Sequence, residues 1–118
     1  VLFHAVVDAI LGALSLGDIG KYFPSNDPRW KDADSRHFLE YVCKLIEKEG
    51  YSIENIDATI ILEHPVLKPH IINMRNNTAF ALSIDLDQVS IKSTTTDKLG
   101  FIGKSEGIAA TASVLLRK

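Results

Sequence analysis

Two segments with a period-two pattern limit the fold more than any other part of the chain. In Ile56-Asp57-Ala58-Thr59-Ile60-Ile61-Leu62, the residues Ile56, Ala58, Ile60 and Leu62 fall on one face of an extended backbone. Over 108–116, Ile108, Ala110, Ala112, Val114 and Leu116 do the same. A strand that is apolar on one face needs covering on that face only. The cover is written into helix-spaced segments. Leu2, Phe3, Val6, Val7, Ile10, Leu11 and Leu14 recur at helical spacing, as do Phe38, Leu39, Val42, Cys43, Leu45 and Ile46. These patterns predict a helix from the chain start to near Gly17, and a second from an N-cap at Asp34 or Ser35 to Gly50. A third is predicted over about 70–83, with Pro69 in its first turn. Strands are predicted over 56–62, 88–96 and 108–116, and a long loop over 18–33. The order is that of an α/β (α+β) two-layer sandwich, one β-sheet covered by helices on one face.

Three strands make a thin sheet, and Val1-Leu2-Phe3 already lies inside a helical pattern with no capping residue ahead of it. Both features predict further strands, upstream of this segment or from partner subunits. Residues 1–118 are therefore expected to form a single domain lacking its N-terminal strands.

The 118 residues, 46% hydrophobic, suffice for one core, and no apolar run is long enough to span a bilayer. A net charge of −2 with interspersed signs argues against a nucleic-acid surface. An anionic ligand must be held by local donors, because the global field does not attract it. Cys43, the single cysteine, sits in an apolar helical pattern and reads as a core residue. No targeting signal opens the chain.

The densest chemistry is Ser93-Thr94-Thr95-Thr96-Asp97-Lys98-Leu99-Gly100-Phe101. Threonine hydroxyls donate to oxyanions, a carboxylate ligates hard divalent cations, and lysine adds positive charge. Alternation predicts Thr94 and Thr96 on one face of the strand and Thr95 on the other. Taken alone, the segment favours the plainer of two readings, a Thr-rich edge strand closed by a turn, over a phosphate site. His4 and Asp8 share a helical face, either as a hydrogen-bonded pair or as a metal ligand oriented by a carboxylate. Asp18-Ile19-Gly20 and Phe23-Pro24-Ser25-Asn26-Asp27 offer carboxylates and small polar groups suited to sugar hydroxyls, or simply a lead into the second helix. Leu62-Glu63-His64-Pro65-Val66-Leu67-Lys68 leaves a strand, where backbone groups can read a base edge. Lys104 and Glu106 precede the last strand, as a phosphate contact or as a surface turn.

Together these segments resemble one family, the 2-C-methyl-D-erythritol 2,4-cyclodiphosphate synthases of the non-mevalonate isoprenoid pathway. The matching pieces are His4-Ala5-Val6-Val7-Asp8-Ala9-Ile10-Leu11-Gly12, Gly17-Asp18-Ile19-Gly20-Lys21-Tyr22-Phe23-Pro24 and Ala33-Asp34-Ser35. Pro69-His70, Thr94 to Phe101 and Glu106-Gly107-Ile108-Ala109 follow in the same order, so the resemblance covers essentially the whole chain. It implies a homotrimer with active sites at subunit interfaces. It also implies a lyase that cyclises 4-diphosphocytidyl-2-C-methyl-D-erythritol 2-phosphate and releases CMP, using Zn²⁺ or another divalent transition metal with Mg²⁺ or Mn²⁺. Carried over by motif, His4 matches a zinc ligand, Thr95 a transition-state-stabilising threonine, and Asp97 a metal-proximal position where the family usually has Glu. Asp18, Ile19, Gly20 and part of Phe23, Pro24, Ser25, Asn26 and Asp27 match the methylerythritol contacts. Leu62, Glu63, His64, Pro65, Val66, Leu67 and Lys68, with Thr94, Thr95, Thr96 and Asp97, match the cytidine diphosphate pocket. Phe101 and Lys104 match further substrate positions.

The chain departs from the family in places. The Asp-x-His pair that supplies the family's other zinc ligands is not among these residues, Lys104 stands for a common Arg, and Ser25 for a usual Asp. The resemblance places such an enzyme in bacterial cytoplasm or in a plastid stroma (apicoplast or chloroplast), with no nucleic-acid or membrane partner. The alternative from another class is a catalytically silent nucleotide- or isoprenoid-diphosphate-binding trimer of the same fold.

Overall fold

The computed structural model describes residues 1–24 and 35–118. Helix α1 (Leu2–Ala13) buries Val6, Val7, Ile10 and Leu11. It ends ahead of Gly17 because Ser15 takes the left-handed conformation (φ 57°). The Leu16 N–H then donates to the Leu11 carbonyl at 2.9 Å and the Ser15 N–H to Gly12 at 3.0 Å, closing a Schellman motif on a serine. A short helix α2 (Ile19–Tyr22) stands where a loop is predicted. Two carboxylates start it. Asp18 accepts the Lys21 N–H at 3.1 Å, and Asp8, from α1, accepts the Ile19 N–H at 2.7 Å. The remainder of the predicted loop, with Ser25, Asn26 and Asp27, lies outside the described residues, as does Asp34.

Helix α3 (Ser35–Lys48) matches its predicted span. Phe38, Leu39, Val42 and Ile46 are buried, while Cys43 and Leu45 are partly so. Strand β1 (Ser52–Ile61) begins earlier than predicted, because Ser52 and Ile53 find cross-strand partners in Arg117 and Leu116. Helix α4 (Ile71–Leu82) follows a 3₁₀ turn at Lys68–His70. Its polar Asn76-Asn77-Thr78 patch is tolerated because the buried Thr78 hydroxyl donates to the Met74 carbonyl at 2.8 Å. Arg75 clamps α4 to the next strand, donating to the carbonyls of Val89 (2.7 Å) and Leu86 (3.0 Å).

Strand β2 (Val89–Thr94) stops short of the predicted Thr96. A single helical turn, α5 (Gly100–Gly103), lies inside the predicted 97–107 loop, and β3 (Ala109–Arg117) closes the chain. The sheet order is β2-β1-β3, with β1 parallel to β2 (Ile56 opposite Val89 through Ile61 opposite Thr94) and antiparallel to β3. The parallel pair requires a crossover, which α4 supplies. Ile56, Ala58, Ile60, Val89 and Ile91 point into the helix side and meet α1, α3 and α4 residues in two apolar clusters. On the opposite face, the Lys92 ammonium lies 3.0 Å from both Asp57 carboxylate oxygens. That contact holds the Asp57 carboxyl below its ordinary value, through the hydrogen bond first. The architecture is the predicted mixed α/β one, a three-stranded sheet with these helices on one face.

The turn after β2 is unusually tight. Asp97 and Lys98 both adopt positive φ (54° and 66°), and Gly103 folds back onto the Lys98 backbone so closely that a Cβ there would collide with it. Gly12, in α1, has open space instead. Gly103→Ala is therefore expected to lower the thermal midpoint. The matched change Gly12→Ala is expected to raise stability by about 0.5–1 kcal/mol, the helical glycine penalty. Leu39→Ala, at a side chain 0% exposed, should cost about 2–5 kcal/mol in urea unfolding with the m-value unchanged.

Candidate active site

Because β1 and β2 run parallel, their carboxyl ends emerge side by side. The Leu62 N–H donates to the Thr94 carbonyl at 2.9 Å. Beyond that rung the two chains part, and a groove opens between them. Such strand ends are the usual ligand position on an open α/β sheet. The groove encloses about 100 Å³ and is lined by Leu62, Glu63, Pro65, Val66, Leu67, Ser93, Thr94 and Thr95. That volume suits one ring or one phosphate; drug-sized ligands occupy roughly 300–1,000 Å³.

Thr95 and Thr96 lie past the end of β2, so strand alternation does not orient them. Hydrogen bonds do. Glu63, only 9% exposed, accepts the Thr96 N–H at 2.6 Å through Oε1, and the Thr96 hydroxyl lies 3.2 Å from the same oxygen. That hydroxyl is closer to the Leu99 carbonyl, at 2.7 Å, and its one proton goes there. The Asp97 N–H donates to Thr95 Oγ1 at 3.2 Å, while the Thr94 hydroxyl donates to the Thr95 carbonyl at 3.3 Å. Thr95, which lines the groove, is exposed, and so is Asp97, two residues on and outside the lining. Phe101, on α5, packs its ring over Gly107, where a Cβ would come within 2.8 Å of it. Lys104 caps α5, and His64, Pro65, Val66 and Lys68 are exposed on the other rim.

The remaining sequence candidates gather elsewhere, on α1 and α2. The His4 ring lies 5.5 Å from that of Phe38, and Phe23 packs 4.6 Å from Phe38 and 5.2 Å from Tyr41. Phe23 is 7% exposed, so its ring anchors the α2 exit in the core. Burial is the main cause pushing the His4 imidazole below its ordinary pKa. Asp8 accepts the Ile19 amide N–H at 2.7 Å and so holds the start of α2. Asp18 is the N-cap of α2, Ile19 and Gly20 lie in its first turn, and Pro24 follows its C-cap. None of these residues lines the groove at the strand ends.

Among the described residues, no three His, Cys, Asp or Glu side chains converge on a metal position. Neither His4 nor Asp97 therefore belongs to such a group among the described residues. Sequence reasoning assigned Glu63 to the pocket but missed that its carboxylate ties two loops together. Its neighbours carry no local signal for a partner at Thr96, far along the chain. The Lys98–Gly103 contact likewise has no local signal.

Among the described residues, no helix is long and apolar enough to cross a membrane. The YgbB family profile matches residues 1–117. The 2-C-methyl-D-erythritol 2,4-cyclodiphosphate synthase of Clostridium perfringens is 54% identical over 118 residues, covering 100% of this chain and 76% of its own. That of Ectopseudomonas mendocina is also 54% identical, over 100% of this chain and 75% of its own. The solved bifunctional IspDF from Campylobacter jejuni superposes with a TM-score of 0.92 at 40% identity, over 97% of this chain and 31% of that one. The CDP complex of IspF from Plasmodium falciparum superposes at 0.85 and 39% identity, over 97% of this chain and 68% of that one. Fold and whole-chain identity agree, and the chain belongs to the 2-C-methyl-D-erythritol 2,4-cyclodiphosphate synthase (YgbB) family.

Proposed function

We propose that this chain performs the family's cyclisation with the strand-end groove as its nucleotide half-site. The substrate is 4-diphosphocytidyl-2-C-methyl-D-erythritol 2-phosphate. An oxygen of its 2-phosphate attacks the β-phosphorus, the new P–O bond closes the ring, and the bond from the β-phosphorus to the bridging oxygen breaks. That oxygen leaves with the electron pair on the α-phosphate, as CMP. Both reacting groups belong to one molecule, so the protein's work is to fold the substrate and to place donors on the developing charge.

One observation carries this reading. Thr95 Oγ1 already accepts the Asp97 N–H, which leaves its own proton to donate towards a phosphoryl oxygen at the groove mouth. A solved relative is a CDP complex, which supports cytidine in the groove between Leu62–Lys68 and Thr94–Asp97. Phe101 and Lys104 flank the same side, Lys104 as a point charge. Asp18, Ile19, Gly20, Phe23, Pro24, Ser25, Asn26 and Asp27 are assigned to the methylerythritol half.

The described members of that set, Asp18, Ile19, Gly20, Phe23 and Pro24, do not line the groove, and this supports a homotrimer in which the α1–α2 group of one subunit faces the groove of the next. His4 is proposed as one ligand of a zinc ion or other divalent transition metal, with Asp97 near Mg²⁺ or Mn²⁺. Among the described residues no three candidate donors converge at either position, and the charge neutralisation read from the chain itself is that of the Thr95 hydroxyl and the lysines Lys98 and Lys104. Residues 1–118 are the greater part of one synthase domain, in keeping with the 76% coverage of a curated relative. Curated relatives at 50–54% identity are bacterial, which favours a bacterial cytoplasmic setting.

The test is CMP release by the full-length protein with divalent metals present. Thr95→Val is expected to lower kcat by about 10²–10³-fold, the usual loss for one transition-state donor, while Thr95→Ser retains most activity. His4→Ala is expected to abolish turnover and lower metal content. Undiminished CDP binding without CMP release from the wild type would instead identify a silent binding protein.

A further inference from the structure

We propose that Glu63 is a positioning residue that sets the Thr95 hydroxyl, an inference that rests on the role given to Thr95 above. Thr95 is held through both of its neighbours. On one side, the Thr94 carbonyl accepts the Leu62 N–H at 2.9 Å, the last rung between the parallel strands. On the other, the Thr96 N–H donates to Glu63 Oε1 at 2.6 Å, a short charge-assisted bond from a side chain 9% exposed.

Both anchors on the partner side are consecutive residues, Leu62 and Glu63, at the exit of β1. The β1 exit therefore grips the β2 exit on either side of the residue that faces the phosphates. The grip continues outward. The Thr96 hydroxyl reaches the Leu99 carbonyl at 2.7 Å, closing the turn whose Asp97 N–H returns to Thr95 Oγ1. Breaking the Glu63 bond frees the start of that turn, and with it the amide that occupies the acceptor side of the Thr95 hydroxyl. Glu63 also lines the groove, but its Oε1 is held by the Thr96 amide, and the effect proposed here is the one that passes through Thr95. Gln at this position keeps an acceptor oxygen at the same reach. Asp shortens the reach by one methylene, and Ala removes the acceptor.

The experiment is steady-state CMP release by the full-length, metal-loaded protein, with Glu63→Gln, Glu63→Asp, Glu63→Ala, Thr95→Ala and the Glu63→Ala/Thr95→Ala double variant. Glu63→Ala and Glu63→Asp are expected to lower kcat by about 10- to 100-fold, the scale of a small misplacement of a reacting group, with KM within about threefold. Glu63→Gln should stay within about threefold of wild type. In the Thr95→Ala background, Glu63→Ala should add little, because its effect runs through the missing hydroxyl. Glu63→Asp keeps the question open to test if Glu63→Ala does not fold. Equal further losses from Glu63→Ala in both backgrounds, or a rise in KM with kcat unchanged, would overturn the proposal. So would an unaffected Glu63→Ala enzyme. If Thr95→Ala itself matches wild type, it is the role of Thr95 that fails, a result the Glu63 variants alone do not produce.

Discussion

The parallel pairing of β1 with β2 is the constraint on which the rest of this structure depends. Parallel strands cannot be joined by a hairpin, so the chain between them must climb back over the sheet, and α4 is that return path. Once it is in place, the carboxyl ends of both strands leave the sheet together and the loops that follow become neighbours. The groove at Leu62–Leu67 and Ser93–Thr95 follows from this pairing. An antiparallel pair would have sent those loops to opposite ends of the sheet.

The helical layer serves the same end. Arg75 spends two of its donors on the carbonyls of Leu86 and Val89, fixing where β2 begins relative to α4. Gln88 donates to the carbonyls of Ile53 and Glu54, tying the same point to β1. With the start of β2 set from both sides, register carries the position of Thr94 along the strand. Apolar packing on the helix side then makes a one-residue slip prohibitive, since it would turn Val89 and Ile91 out of the core.

The two groups of candidate residues differ in kind. Those at the strand ends are organised by long-range hydrogen bonds and a turn with consecutive positive φ values, the sort of local strain that persists where surroundings over-determine it. Those on α1 and α2 are organised by packing, with His4, Phe23, Phe38 and Tyr41 forming a ring cluster beside a helix start pinned by Asp8. A substrate long enough to need a nucleotide pocket and a sugar-phosphate pocket has a use for both. The separation of the groups is the observation on which the proposal of a site shared between subunits rests.

Elements whose cause is local are legible in the order of the residues. The one-faced patterns of Ile56–Leu62 and Ile108–Leu116 and the stripe from Phe38 to Ile46 state which side is buried, because side-chain direction follows the backbone period, except at Leu62 and Ile108, which fall outside the strands, Ile108 being exposed. The motif run from His4 to Glu106 was likewise legible as a family resemblance, residue by residue. What it left undecided were features caused from a distance. Serine at position 15 gives no local sign that it, rather than Gly17, will close α1. The early start of β1 depends on a partner strand at the far end of the chain, and the departure of Thr95 and Thr96 from β2 depends on Glu63. These are contacts between residues tens of positions apart, and only the tertiary structure brings such partners within hydrogen-bonding reach.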